Sequence, residues 1–170
     1  MDYEKMDYEK VAELSKIGDL DAMVELSRLY IMRYGKECVH YDTRCWLGLA
    51  IIENSTRAEN MFKLEYPNDD LEQVFKNVYN RLLNSPVKDQ KWVDNHWEDD
   101  CWTDYHLGNC YYYGKGVEKN LEYAKRRYKN AKKWIAEASQ NADEDSQGAY
   151  NAVLDKIDKK LTEIENLNQQ

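Results

Sequence analysis

An all-α fold follows from three features of the 170-residue sequence. Apolar residues recur at intervals of three and four along most of the chain, the period of helices packed on one side. Capping residues and glycine or proline stops punctuate these stripes at helix-sized intervals. No segment alternates apolar and polar residues as a strand would; short apolar runs such as Leu49 to Ile52 sit inside helix-period patterns. Two Pro and seven Gly are too few for a linker-rich or disordered chain. The length is that of a single domain, 1–170.

The elements read in order as follows. Residues 7–17 place Val11, Leu14 and Ile17 on one side, and Gly18 ends the helix. Asp19 can cap a helix over 20–33 with Ala22, Leu26, Leu29 and Tyr30 as its stripe, stopped by Tyr34-Gly35. A third helix runs over about 42–53, and Asn54-Ser55 can cap a short one reaching about Lys63. After Pro67, Asn68 or Asp69 caps a helix over 68–84 with Leu71, Val74, Phe75, Val78 and Leu82 at a regular 3.6-residue period. Asn84-Ser85-Pro86 ends it. A long helix over 89–113 follows, then the turn Gly114-Lys115-Gly116, whose glycines supply the positive φ that other residues avoid. Asn120 caps a helix reaching about Ser139. A polar, acidic linker over 140–146 leads to a last helix over 147–167 with Tyr150, Val153, Ile157, Leu161, Ile164 and Leu167 on one side.

The most informative stretch is 107–131, LGNCYYYGKGVEKNLEYAKRRYKNA. One helix ends in Leu107-Gly108-x-x-Tyr111, a Gly114-x-Gly116-Val117 turn follows, and the next helix carries Ala124-x-x-x-Tyr128-x-x-Ala131. This pattern resembles the Sel-one-like repeat, a relative of the tetratricopeptide repeat; the long Gly-x-Gly turn favours the former. Helical-hairpin repeats need small residues where two helices cross closely and large ones between layers. In that reading Gly108 is the close approach, Leu107 and Tyr111 fill the groove, and Ala124 and Ala131 let the second helix lie against the first. Tyr128 packs between layers. Ala22-x-x-x-Leu26-Ser27-x-x-Tyr30 and Thr43-x-x-x-Leu47-Gly48-x-x-Ile51 echo the first-helix pattern, but neither leads into Gly-x-Gly-Val.

The resemblance implies a short, irregular α-solenoid of about seven or eight helices stacked as hairpins. A degenerate repeat region spans 18–66, a connecting helix 68–84, the clear repeat 89–139 and a C-terminal capping helix 147–167. It also implies a protein that binds another protein or peptide and needs no cofactor. In tetratricopeptide domains the first helix of each hairpin lines a concave groove. Those positions here are Trp102, Tyr105, Asn109, Tyr112 and Tyr113. Aromatic anchors bury large area at little entropy cost, and an Asn can pair with a peptide backbone, so this set suits partner capture. The alternative is that some of these side chains are buried against the neighbouring helix 68–84. Trp92 and Trp97 further upstream suit packing between layers.

Charge limits the partner. The net charge of −8 counts against general nucleic-acid binding and against an anionic membrane surface. The charge is also unevenly placed. Asp94, Glu98, Asp99 and Asp100 lie in one acidic run, and Lys125, Arg126, Arg127, Lys129, Lys132 and Lys133 crowd the next helix. Either the two faces complement each other within the fold, or they form a polarised binding surface. A second function class follows from the acidic run: an inhibitor, such as one carried by a phage or mobile element, that presents these carboxylates as a phosphate mimic to a basic nucleic-acid enzyme. A third is a homodimer that uses the one-sided last helix as its seam.

The start, MDYEKMDYEK, has neither the apolar core nor the basic lead of a secretory signal. No run reaches the roughly 18 apolar residues of a membrane span. The expected location is the cytoplasm, with the cysteines reduced. Cys38, His40 and Cys45 cluster in sequence, as do His96, Cys101, His106 and Cys110. No C-x-x-C or paired motif accompanies them, so no metal site is expected. Some secreted proteins of the resembled family lock each hairpin with a disulfide. Cys101 and Cys110 fall on one helix about 13 Å apart and cannot bond to each other. No phosphate loop, strained nucleophile turn or catalytic triad pattern is present, so no enzyme is expected.

Overall fold

The computed structural model describes residues 8–16, 18–36, 43–84 and 90–167, with the side chains of 90–101 and 145 outside the described set. Every regular element among these residues is helical: α1 (Tyr8–Lys16), α2 (Leu20–Tyr34), α3 (Thr43–Ile52), α4 (Thr56–Glu65), α5 (Leu71–Leu83), α6 (Gln90–Tyr113), α7 (Leu121–Asn141) and α8 (Glu144–Leu167). The class and the number of helices are those the stripes predict. None of these helices is long and apolar enough to cross a membrane.

Local chemistry sets the boundaries. The Asp19 carboxylate accepts from the Ala22 amide at 2.8 Å, the Ser55 hydroxyl from Ala58 at 3.2 Å, and the Asn120 carbonyl from Tyr123 at 3.0 Å. Each satisfies an amide that the first turn leaves unpaired. For α5 the cap is Asp70, which accepts from Glu72 at 3.0 Å, and neither Asn68 nor Asp69. Asp69 is instead held by Arg44 at 2.5 Å. The expected linker over 140–146 shrinks to Ala142 and Asp143, because Asp143 accepts from the Ser146 amide at 2.7 Å and starts α8 early. At the far end Leu167, expected on the apolar stripe, is 54% exposed.

Two layers result. In the first, α1 pairs with α2, and α3 packs against α2, α4 and α5 around Met23, Leu47, Phe62 and Phe75. In the second, α6, α7 and α8 run up, down and up. The α6–α7 pair is antiparallel, with Asp104 facing Arg127 and Tyr111 facing Tyr123. The α7–α8 pair is also antiparallel, with Ser139 beside Asn151, Lys132 beside Asp158 and Lys125 beside Glu165. Helix α6 joins the layers: Cys110 belongs to the first core, and Trp102 and Tyr105 belong to the second.

The small and aromatic residues of 107–131 explain the closeness of α6 and α7. A β-carbon on Gly108 would lie 2.6 Å from the Tyr128 ring, so only glycine allows this approach. Ala124 and Ala131 are fully buried on the facing side, and Leu107 is 2% exposed. Tyr111 stacks on Tyr123 at 5.3 Å, and its hydroxyl meets that of Tyr79 at 2.8 Å. Gly114 and Gly116 have φ of 67° and 75°. A β-carbon on Gly116 would collide with the Phe75 carbonyl, so the turn docks on α5. The echo over 43–51 shares this logic: Gly48 lets α3 approach Val78 and Val74 of α5, at 3.0 and 3.1 Å from where its β-carbon would be.

Two alanine substitutions separate close approach from helix propensity. Gly148 in α8 has open space around it, so Gly148→Ala gains about 0.5–1 kcal/mol. Gly108→Ala forces the Tyr128 ring aside and loses about 1–3 kcal/mol. Urea denaturation reads both, and equal effects would remove the close-approach argument.

Candidate functional site

The residues expected to line a groove do come together, but they face the chain's own last helix. Trp102, Tyr105 and Asn109 are 6%, 0% and 1% exposed; Tyr112 and Tyr113 are half-buried. The expectation of an open concave face is therefore corrected. Helix α8 lies along this side of α6 because Tyr150, Val153, Ile157 and Ile164 form an apolar stripe that must leave water. Trp102 packs on Tyr150 with ring centroids 5.8 Å apart.

A lysine occupies the centre. Lys160 of α8 is 7% exposed. Its Nζ donates to Asn109 Oδ1 at 2.6 Å. It lies 5.5 Å from the ring centroid of Tyr105, 5.8 Å from Tyr112, 5.1 Å from Tyr113 and 5.4 Å from Tyr128. Tyr128 donates its hydroxyl to the same Asn109 Oδ1 at 2.8 Å, which fixes the amide for the lysine. On the far side stands Glu53, in the turn after α3, with its side chain buried. It accepts from the Tyr105 hydroxyl at 2.7 Å, with the Nζ atoms of Lys156 and Lys160 at 3.8 and 3.9 Å. Tyr112 donates its hydroxyl to Glu163, one turn beyond Lys160.

Magnitudes show why the carboxylate is needed. Moving an ammonium ion into the interior costs several kcal/mol, and a cation–π contact returns about 0.5–2 kcal/mol. Burial accordingly pulls the Lys160 ammonium down to about 8; Glu53 and Glu163 oppose the pull and Lys156 adds to it. Lys160 is thus still charged at neutral pH. Burial lifts the Tyr105 phenol well above its usual range, and Glu53 lifts it further. Tyr112 is raised to about 12, first by burial and then by its hydrogen bond to Glu163.

The network around this lysine is only partly satisfied. Glu53 Oε1, Asn109 Nδ2 and His106 Nδ1 are buried without a hydrogen-bond partner among the described residues. Buried orphan atoms are rare and costly in native proteins, and they gather where packing is compromised for function. Burial also drives His106 down to about 4 and the Cys110 thiol up to about 12, so both are neutral at pH 7. Two hollows of about 270 and 220 Å³ flank the N-terminal half of α8, one beside Trp102 and Tyr150, the other beside Gly18 and Val153. The arrangement surrounds one primary ammonium with four aromatic faces, an amide oxygen and a nearby carboxylate.

Glu53, Lys160 and Glu163 were not legible as site residues, and Tyr128 was legible only as packing. Lys160 alone left a signal: it sits between Ile157 and Ile164 on the apolar stripe of its helix, where a charge needs a partner. Asp94, Glu98, Asp99 and Asp100 fall on α6, but their side chains lie outside the described residues, as do those of Trp92, Trp97, His96 and Cys101. Cys38 and His40 are also outside. No group of three or more metal-ligating side chains forms among the described residues.

His106 sets a pH dependence. Its folded pKa, about 4, lies below the unfolded value of 6.5. The unfolded chain therefore binds the proton first, and stability falls as pH drops from 6.5 toward 4. The full loss is on the order of 3 kcal/mol. Urea midpoints across this window should show the slope, and His106→Leu should flatten it above pH 5. An unchanged slope in that variant would place the effect elsewhere.

No family model, curated protein or solved structure matches this chain.

Proposed function

We propose that the chain is a protein-binding adaptor or regulator of the Sel-one-like kind, without chemistry of its own. The partner of its aromatic groove is an amphipathic helix bearing a lysine, and α8 holds that groove in the state described above. The observation that carries this reading is Lys160, inserted among Tyr105, Tyr112, Tyr113 and Tyr128 and bound to Asn109. Four aromatic faces, one amide oxygen and the Glu53 carboxylate make a specific seat for an ammonium group. A receptor closed by its own segment binds a competitor more weakly, in proportion to the fraction of time the segment is away. The orphaned polar atoms beside Lys160 and the hollows flanking α8 favour a seat that can be vacated.

The test supplies the helix in trans. A fluorescein-labelled peptide of residues 144–167 is titrated into the full chain and into its Ile157→Ala and Lys160→Ala variants, with fluorescence anisotropy as the readout. Truncating buried Ile157 weakens the seating of α8 by about 2–5 kcal/mol. The peptide should then bind Ile157→Ala at least tenfold more tightly than the unaltered chain. A peptide carrying Ala at position 160 should lose most of that gain. Lys160→Ala is the second variant, kept in case Ile157→Ala does not fold. If a variant keeps its helical circular dichroism and does not bind the peptide, the groove is closed core and the reading fails.

A further inference from the structure

Helix α7 has a second, outward face that the groove does not use. Its inward bases are paired: Lys125 with Glu165 at 3.1 Å, Arg127 with Asp104 at 2.6 Å and Lys132 with Asp158 at 2.5 Å. Arg126, Lys129 and Lys133 are exposed and have no carboxylate within ion-pair distance among the described residues. They recur at intervals of three and four, so they share one face over about 10 Å of helix. Two aromatic side chains border them. Tyr123 is 49% exposed with Arg126 5.5 Å from its ring centroid, and Trp134 is 38% exposed with Lys133 at 4.8 Å. Neither ring is buried by the fold, although aromatic residues dominate core and interface energetics.

We propose that this face docks an acidic amphipathic helix of a partner protein. Its carboxylates, one turn apart, would meet Arg126, Lys129 and Lys133, and its apolar edge would lie on Tyr123 and Trp134. Three features select a polypeptide over a nucleic acid. The chain as a whole carries −8, which repels a polyanion at long range. Glu122 and Glu137, both exposed, bound the basic stretch at either end. The stretch is two helical turns long, suited to three carboxylates and too short to track a phosphate backbone. The inference is independent of the groove, because the groove uses Tyr128 on the opposite side of α7. Together the two faces would let one chain hold two partners, as an adaptor must.

The experiment titrates the ¹⁵N-labelled full chain with a stapled helical peptide that has Glu at three successive one-turn positions and Leu along its edge. Amide shifts should cluster between 122 and 137, with the Trp134 indole among them. The variant Arg126→Glu/Lys129→Glu/Lys133→Glu, all exposed sites, should keep its fold by circular dichroism and bind at least tenfold more weakly. Raising salt should weaken the interaction of the unaltered chain. Shifts that cluster elsewhere or survive the charge reversal would overturn the proposal. So would tighter binding of an oligothymidylate of equal charge, or the same shifts on concentrating the chain without peptide.

Discussion

The arrangement of the second layer depends on one close contact, that of the Tyr128 ring with the bare α-carbon of Gly108. With no β-carbon in the way, α6 and α7 approach until the Tyr128 hydroxyl reaches Asn109, where it donates at 2.8 Å. That bond orients the amide oxygen toward α8, and Lys160 donates to the same atom. A residue chosen for backbone packing thus places a polar acceptor at the centre of a ring of tyrosines. Leu107, Ala124 and Ala131 keep the two helices in this register because each is buried between them.

Two requirements then compete in α8. Its apolar stripe must be buried, and Lys160 lies on that stripe. Sliding the lysine to the surface would lift Ile157 and Ile164 out of the core. The fold instead provides the ammonium with aromatic faces, an amide oxygen and a nearby carboxylate, and it leaves three polar atoms unpartnered. Apolar residues at positions 160 and 53 together would have avoided burying these charges. Glu53 comes from the first layer, so the seat is complete only when both layers are in place.

The basic residues of α7 divide between two faces. Bases that point toward α6 and α8 meet carboxylates and are neutralised within the fold. Those that point away keep their charge for solvent or a partner. Of the complement expected between the acidic and basic runs, the Asp104–Arg127 pair falls among the described residues, whereas Lys125 and Lys132 pair with α8. Exposed ion pairs contribute about 0–1 kcal/mol each, so the internal pairs align the helices more than they stabilise them.

The sequence by itself determined the helices and the close hairpin. Periodicity, caps and the Leu-Gly-x-x-Tyr and Ala-x-x-x-Tyr-x-x-Ala patterns act within one or two turns, where spacing translates directly into geometry. It also brought Tyr105, Asn109, Tyr112 and Tyr113 onto one strip of α6. It did not say what covers that strip. Whether a concave aromatic surface stays open depends on where a helix more than thirty residues downstream comes to rest, and on the link of Ala142 and Asp143 that turns it back. Asp143 shortened that link by capping α8 early, a local event with a distant result. The contacts of Glu53 with Lys156 and Lys160 span still more of the chain and follow no period. Long-range pairing of this kind is set by the summed burial of all faces at once, and only the tertiary structure decides it.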